Sequence, residues 1–238
     1  MTRILGDQCV QSEVLEGLAT AVNHRRWFVE LALPYLGDDP IEIGSGLGDY
    51  ALEWAPHFRR FTATEADPDR LTALKERLGG HGTVEIRQML LPTDEAGTYS
   101  GAVSYNVLEH IDDHVAALRS MARLVQPGGR IVLIVPAFPF AMSPVDIATG
   151  HVRRYTKKTM RAALGEAGLT VERLHYVNAL GLVGYYMATS VFRLTPREGA
   201  MVKLYDRLVL PVTRAGERLV RPPFGQSVFA VARVPGPA

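Results

Sequence analysis

The chain has 238 residues, of which 47% are hydrophobic and 21% are charged, and its formal net charge is +1. This composition allows one domain with a full hydrophobic core and excludes disordered and fibrous classes. The single cysteine, Cys9, cannot form an internal disulfide, and the first thirty residues lack the apolar segment of a secretory signal. Polar residues and glycines interrupt the most apolar window, residues 176–194. We therefore expect a cytoplasmic protein without stable membrane insertion.

The charged residues are unevenly distributed along the chain. Residues 1–150 contain 12 Lys and Arg against 20 Asp and Glu, whereas residues 151–238 contain 14 against 5. One interpretation is that the two parts dock on each other or on a sister subunit, which would give a homodimer. The other interpretation is a basic surface that faces an anionic partner.

Apolar residues recur at helical spacing from about Val10 to Leu33, which predicts an N-terminal helix or helix pair that ends before Pro34. Short apolar segments then alternate with helical segments, and this alternation predicts a parallel sheet with helices on both faces. The predicted strands are PIEIG, RFTATEAD, TVEIRQM, YSGAVSYN and RIVLIVPA, and the predicted helices between them are DYALEWAPHF, PDRLTALKERLGG and IDDHVAALRSMARLVQPGG.

The last third of the chain adds a helix, TKKTMRAALGEAG, and two more strands, LTVERLHYVN and SVFAVARV. A helical segment of about residues 179–224 lies between these two strands. No linker separates it from the sheet, so we interpret residues 1–238 as a single domain with a helical insertion.

Three glycines, Gly44, Gly46 and Gly48, follow the first predicted strand. Glycine permits a tight turn and lets a ligand approach the backbone, and ligands of doubly wound sheets bind at this edge. The spacing is G-x-G-x-G, whereas the dinucleotide fingerprint is G-x-G-x-x-G. Acidic residues, Glu42 and Glu65, lie near the ends of the first two strands. The position of Glu65 suits a carboxylate that accepts hydrogen bonds from a ribose.

Four segments resemble class I S-adenosylmethionine-dependent methyltransferases in order and spacing: IEIGSGLG, TATEADPDRL, NVLEHIDD and LVQPGGRIVLIVP. The resemblance covers roughly residues 20–175. It implies an α/β fold, with a doubly wound, seven-stranded, mainly parallel sheet in the order 3-2-1-4-5-7-6, an antiparallel last strand and a helical cap. It also implies S-adenosyl-L-methionine as the cofactor. We expect residues 1–36 to form a helical lid, because NHRRWF lies just before the first strand.

The family pattern also implies roles for individual residues in cofactor binding. The methionine part would contact the first strand and its turn, the ribose would bind the second strand, and the adenine would lie between the second and third strands. Asn106, after the fourth strand, would lie near the sulfonium. The predicted cofactor-binding residues are Glu42, Gly44, Ser45, Gly46, Glu65, Ala66, Gln88, Met89 and Asn106.

Candidate catalytic residues are His110, His151 and Tyr155, of which the last two belong to the segment GHVRRYTKK. Each histidine or tyrosine can remove a proton from an acceptor, although His110 can equally anchor a loop. Some family members bind a metal through an acid-x-x-acid-His cluster, but here Asn106 replaces the first acid, so we predict no metal.

Candidate substrate-binding residues are Arg153, Arg154 and Tyr155, because a guanidinium presents a fork of donors to carboxylate or phosphate. The alternative is that the arginines pair with Asp146 or with the acidic half of the chain.

We therefore expect methyl transfer from S-adenosyl-L-methionine to a small-molecule acceptor with an anionic group and an apolar body. Secondary metabolism and cell-surface sugar or lipid biosynthesis are the expected contexts. The alternatives are a catalytically silent subunit that binds the cofactor and activates a partner, and a nicotinamide-dependent oxidoreductase. Aromatic residues in the basic part lie at spacings that suit burial, so nucleic acid is not the expected acceptor.

Overall fold

The structure is a computed structural model that describes residues 11–12, 16, 20–191 and 199–236. Its helices are α1 (Val22–Leu36), α2 (Asp49–Trp54), α3 (Pro68–Leu78), α4 (His114–Leu124), α5 (Pro144–Ala148), α6 (Lys157–Glu166), α7 (Ala179–Tyr186), α8 (Gly199–Leu204) and α9 (Leu210–Leu219). Its strands are β1 (Ile41–Ile43), β2 (Phe61–Glu65), β3 (Val84–Gln88), β4 (Tyr99–Tyr105), β5 (Val125–Pro136), β6 (Thr170–Val177) and β7 (Ser227–Arg233).

The seven strands form one sheet in the order 3-2-1-4-5-7-6, which confirms the predicted α/β class and topology. Strands β1 to β5 pair in parallel, and β7 is antiparallel to both β5 and β6. Strand β6 therefore has the same direction as β5. The carboxyl ends of β1 to β6 and the amino end of β7 all lie at one edge of the sheet, which we call the carboxyl edge.

The sheet separates two hydrophobic clusters. Side chains of a strand point alternately to opposite faces. In β5, Ile131 and Leu133 belong to the cluster that contains Leu118 of α4, whereas Val132 and Ile134 belong to the cluster on the other face. All four of these β5 side chains are fully buried. Helices thus cover both faces, as expected for a strand with an unbroken apolar run.

The prediction that the first helix ends before Pro34 was wrong, because α1 continues to Leu36. A proline removes one helical hydrogen bond. Ala32 and Leu36 are fully buried, however, and burial of one leucine side chain stabilises by about 2 kcal/mol. Packing of the last turn therefore offsets the lost hydrogen bond. The helix ends at Gly37, whose φ is 72°.

The sequence predicted that QPGG closes the helix before β5. In the structure α4 ends at Leu124, and QPGG forms the start of β5. Its glycines pair with the end of the sheet: Gly128 N–H donates to Val234 C=O, and Val234 N–H donates to Gly129 C=O, each at 2.9 Å. This pairing with a distant part of the chain extends the strand.

The insertion between β6 and β7 consists of α7, α8 and α9, with π-helical turns at Met187–Val191 and Tyr205–Val209. Its buried Asp206 accepts hydrogen bonds from the backbone N–H groups of Asn23 (3.0 Å) and His24 (2.8 Å). The carboxylate therefore caps the first turn of α1 and joins this helix to the insertion. Most of the predicted lid before α1 lies outside the described residues.

Candidate active site

The turn after β1 has a backbone that side chains would obstruct. Gly44, Gly46 and Gly48 have φ values of 76°, 57° and 86°, in the region that favours glycine. A Cβ atom at Gly44 would lie 2.4 Å from a methyl carbon of Val107, in the loop after β4. The turn after β1 and the loop after β4 are therefore in close contact at the carboxyl edge.

Glu42 lies inside β1 and is 4% exposed. Its carboxylate accepts hydrogen bonds from Ser45 Oγ (2.6 Å) and from Trp54 Nε1 (2.9 Å). Burial raises the pKa of Glu42 to about 7, although both hydrogen bonds oppose this shift. Glu42 and Ser45 thus form one buried unit that holds the glycine turn.

Glu65 ends β2 and lies beside the glycine turn. Its Oε2 accepts a hydrogen bond from Gly46 N–H (2.8 Å), and its Oε1 accepts from Ala66 N–H and Asp67 N–H (3.0 Å each). Arg70 Nε lies 3.4 Å from Oε1. These contacts fix the carboxylate at the carboxyl edge. Oε1 already has three donors, whereas Oε2 has one and can accept a further hydrogen bond from a ligand hydroxyl.

The remaining predicted cofactor residues surround this edge. Gln88 is exposed, and its Nε2 donates to Ala66 C=O at 3.2 Å. Met89 is buried and its N–H donates to Glu65 C=O at 3.1 Å. Asn106 is exposed at the end of β4, with a φ of 53°. The structure thus brings together all nine predicted residues, from β1 to β4.

These residues fit S-adenosyl-L-methionine. The glycine turn leaves a bare backbone, and Glu65 Oε2 can accept a hydrogen bond from a ribose hydroxyl. Gln88 and Met89 lie at the end of β3, the strand that the family pattern assigns to the adenine. The buried acid Glu42 suits a ligand with a cationic group better than it suits a pyrophosphate.

Two histidines from different loops meet beside the carboxyl edge. The rings of His110, after β4, and His151, after α5, lie 4.6 Å apart with an interplanar angle of 83°. Burial, followed by the nearby His151, lowers the pKa of His110 to about 3, so its imidazole is neutral at physiological pH. No hydrogen bond to His110 Nδ1 is found among the described residues.

Glu109 is fully buried beside the two histidines. Neither of its carboxylate oxygens has a hydrogen-bond partner in the part of the chain that the structure describes, and His151 Nε2 lies 3.9 Å from Oε1. Burial raises the pKa of Glu109 to about 7, and His151 opposes this shift. Ligand atoms of Glu109, His110 and His151 lie within 4.8 Å of one another, so their chemistry and spacing also suit a divalent cation.

Asp146 of α5 supports His151 from the other side. Its Oδ1 lies 2.7 Å from His151 Nδ1, although the two groups are not aligned for a straight hydrogen bond. Arg154 Nη2 donates to Oδ1 and Oδ2 of Asp146 at 2.8 Å and 3.0 Å. Burial would raise the pKa of Asp146, but His151 and Arg154 together outweigh burial and hold it well below its usual value.

The side chains of the other predicted residues of GHVRRYTKK bind to groups of the protein itself. Arg153 donates to the backbone carbonyls of Ile111 and Asp112. Tyr155 is 1% exposed, and its hydroxyl lies 2.8 Å from His114 Nδ1. Arg154 also donates to Ala137 C=O at 3.1 Å. The structure therefore gives Arg153, Arg154 and Tyr155 protein partners, and only His151 of this segment meets His110.

The alternative that an arginine pairs with Asp146 is confirmed for Arg154, but sequence reasoning missed the other partners of Asp146. Ser143 caps α5: its N–H and Oγ donate to Asp146 Oδ2 at 2.7 Å and 2.8 Å. Tyr185 of α7 donates from its hydroxyl to the same oxygen at 3.0 Å. The S-x-x-D spacing was a readable capping signal, but the contact with Tyr185 joins parts of the chain 39 residues apart.

Comparison with known proteins identifies the family of this chain. The methyltransferase domain family matches residues 25–174. A ubiquinone/menaquinone biosynthesis C-methyltransferase of Rubrivivax gelatinosus is 25% identical over 138 residues, which are 56% of this chain and 54% of that protein. The chain thus spans about half the length of the curated relatives that it matches.

Solved structures share the fold. An S-adenosylmethionine-dependent methyltransferase from Mesorhizobium loti has a TM-score of 0.59 at 16% identity, over 86% of this chain and 95% of that chain. A geranyl diphosphate methyltransferase in complex with GPP and sinefungin has a TM-score of 0.61 at 17% identity, over 88% and 78%. With its family match, sheet order and glycine turn, the chain belongs to the methyltransferase domain family.

Proposed function

We propose that this protein transfers a methyl group from S-adenosyl-L-methionine to a small-molecule acceptor whose hydroxyl or amine loses a proton during the reaction. The observation that supports this proposal most directly is the pair of histidines, His110 and His151, beside the predicted cofactor residues. The bound cofactor supplies an electrophilic methyl group on a sulfonium. The chain has to hold the acceptor in line with that methyl group and exclude water, which can lower a barrier by ~7–11 kcal/mol.

His151 is the proposed general base. Its Nδ1 faces the carboxylate of Asp146, so Nε2 is the nitrogen that is available to accept a proton. The negative charge of Asp146 would stabilise the imidazolium that forms, as in other acid–histidine pairs. His110 has a pKa of about 3 and is a poor base, so we propose that it lines the acceptor site.

Arg153, Arg154 and Tyr155 have a positioning role in this proposal. Each would have to leave a protein partner before it could bind an acceptor directly. Arg154 holds Asp146, and Asp146 holds His151. Arg153 fixes the loop after β4, which carries His110. In this proposal the three residues position other groups of the site. They do not make the direct contacts with the acceptor that the sequence predicted.

The rim of the site supports an acceptor with an apolar body. Phe140, Ile147 and Val152 are exposed by 64%, 68% and 42%, and they lie in the connection between β5 and α6, which also carries Asp146 and His151. The ring of Tyr186 packs edge-on against Phe140 at 5.8 Å. The names of the quinone-biosynthesis and geranyl diphosphate methyltransferases also favour an isoprenoid-type acceptor.

Methyl transfer from labelled cofactor to a panel of hydroxylated aromatic and isoprenoid compounds tests this function. With an acceptor in hand, His151→Gln should lower kcat by ~10²–10⁴-fold, while the calorimetric affinity for the cofactor stays the same. His81→Gln, at an exposed histidine in a distant loop, is the matched control. Full turnover by His151→Gln would disprove the role of the base. A chelator tests the prediction of no metal: turnover should stay unchanged, whereas loss of turnover would show that Glu109, His110 and His151 hold a cation.

A silent subunit that activates a partner remains the second candidate, since the fold also suits cofactor binding without transfer. Cofactor affinity together with no turnover on any acceptor, until a partner is added, would favour it. Family membership decides against the nicotinamide-dependent alternative.

A further inference from the structure

The insertion carries an apolar stripe that the rest of the described chain leaves uncovered. In α8, α9 and the turn between them, large apolar side chains recur every three to seven residues on the outer surface. Leu208 is 62% exposed, Val212 65% and Leu219 86%. The stripe consists of Met201, Leu204, Leu208, Val212 and Leu219. Isolated exposed leucines are common on proteins, but a continuous stripe of this kind indicates an interaction surface.

Exposed basic residues lie alongside the stripe. They are Lys203, Arg207, Arg218 and Arg221, and none of the four forms an ion pair with another described residue. The acids described in this segment are already engaged. Asp206 is buried under α1, and Glu217 accepts hydrogen bonds from the backbone N–H groups of Asn178 and Ala179. The face therefore combines apolar side chains with an uncompensated positive charge.

This face lies beside the active site. Strand β6 ends at the carboxyl edge, and α7 begins two residues later. A shallow, apolar groove between α7 and α9, lined by Leu180, Val212 and Val220, continues the stripe onto α7. Further along α7, Tyr185 contacts Asp146, and Tyr186 packs on Phe140 at the rim. A surface that binds the stripe would therefore lie near the entrance of the acceptor site.

The charge pattern favours an anionic lipid surface over a second copy of the chain. A symmetric dimer places the same patch of each protomer against the other. Here that contact would bring the cations Lys203, Arg207, Arg218 and Arg221 of both copies together without acidic partners in the described segment. Lipid headgroups supply the missing negative charge, and the acyl boundary supplies an environment for the leucines. No described helix is long and apolar enough to cross a bilayer.

We propose that the outer face of α8 and α9 is a peripheral docking surface for membranes that contain anionic phospholipids. The stripe would enter the headgroup region while the basic residues contact the lipid phosphates. The proposal depends on this surface alone, so it stands whether or not His151 acts as the base.

Flotation of the full chain with vesicles tests the proposal. The chain should float with vesicles of phosphatidylcholine and phosphatidylglycerol, float less with phosphatidylcholine alone, and be released by high salt. Arg207→Gln/Arg218→Gln and Leu208→Ser/Leu219→Ser should each weaken binding by about tenfold or more. Arg59→Gln, at an exposed arginine before β2 and therefore at the opposite edge of the sheet, should bind like the wild type.

Two measurements keep the result interpretable. Circular dichroism and cofactor affinity of both double variants should match the wild type, because all four substituted side chains are exposed. Sedimentation should show the same oligomeric state for all variants. The proposal is overturned if the wild type fails to float with anionic vesicles. It is also overturned if Leu208→Ser/Leu219→Ser dissociates a dimer without changing flotation, since the stripe would then join two copies.

Discussion

The guanidinium of Arg154 and the carboxylate of Asp146 form a buried, two-pronged ion pair, with Nη2 at 2.8 Å and 3.0 Å from the two carboxylate oxygens. Arg154 Nε adds a third contact at 3.2 Å. Both side chains are buried, so the guanidinium of Arg154 is not free to bind a ligand. The ion pair links α5 to the segment that precedes α6.

Arg154→Ala should therefore act mainly on stability. Loss of one partner leaves the buried carboxylate of Asp146 uncompensated, and such a loss costs about 3–5 kcal/mol. Denaturant unfolding measures the effect, with Arg161→Ala, at an exposed arginine of α6, as the control. The interpretation of Arg154 as an acceptor-binding residue predicts a different result: a Michaelis constant at least about tenfold higher with little change in cofactor affinity.

Glu65→Ala should lower the affinity for S-adenosylmethionine by at least about tenfold. The substitution removes a fixed acceptor for ribose hydroxyls, and each charge-assisted hydrogen bond is worth ~1.5–3 kcal/mol. It also frees the N–H of Gly46, so the glycine turn loses a support. Calorimetry measures the dissociation constant, and Glu85→Ala on the exposed face of β3 is the control. An unchanged affinity would show that the cofactor lies elsewhere.

Glu109 should make stability depend on pH. Burial raises its pKa from 4.5 to about 7, so the folded state holds the proton more tightly than the unfolded chain does. Stability from this group is full below about pH 4.5 and is lost as pH rises through about 7. The loss is on the order of 3 kcal/mol.

The neutral variant Glu109→Gln isolates this effect from other titrating groups, Glu42 among them. Relative to the wild type, its free energy of unfolding should increase between about pH 5 and about pH 8. Urea titrations at both pH values provide the measurement. A difference that is constant with pH would mean that Glu109 stays ionised throughout.

Deletion of residues 1–20 should weaken cofactor binding and leave the sheet folded. Most of this segment lies outside the described residues, but Gln11 Nε2 donates to Thr149 C=O at 2.6 Å, and Gln11 Oε1 accepts from Arg70 at 3.0 Å. The segment thus contacts both the residue beside Glu65 and the loop before His151. Calorimetry together with far-UV circular dichroism provides the test. Equal affinity in the shortened chain would contradict a lid.

The sequence by itself determined the features that depend on residues close together in the chain. The strands, the glycine turn and Glu65 could be predicted, because a turn with positive φ, a strand and a helix start each leave a local signal. The strand order came from the family resemblance, because no local signal specifies which strands pair. The predicted cofactor residues lie in four short segments at the ends of consecutive strands. A doubly wound sheet brings such ends to one edge whatever the details of packing.

Only the tertiary structure decided which partners the charged side chains have and which apolar side chains are buried, because these depend on residues far apart in sequence. An arginine next to a tyrosine has the same local pattern whether it faces a substrate or a buried acid, and the fold placed Arg154 on Asp146. Likewise, the leucines of α8, α9 and the turn between them have a helical spacing that suits burial, yet Leu208 and Leu219 face outward. Burial depends on which surfaces the whole chain brings together, and spacing within one segment does not specify that.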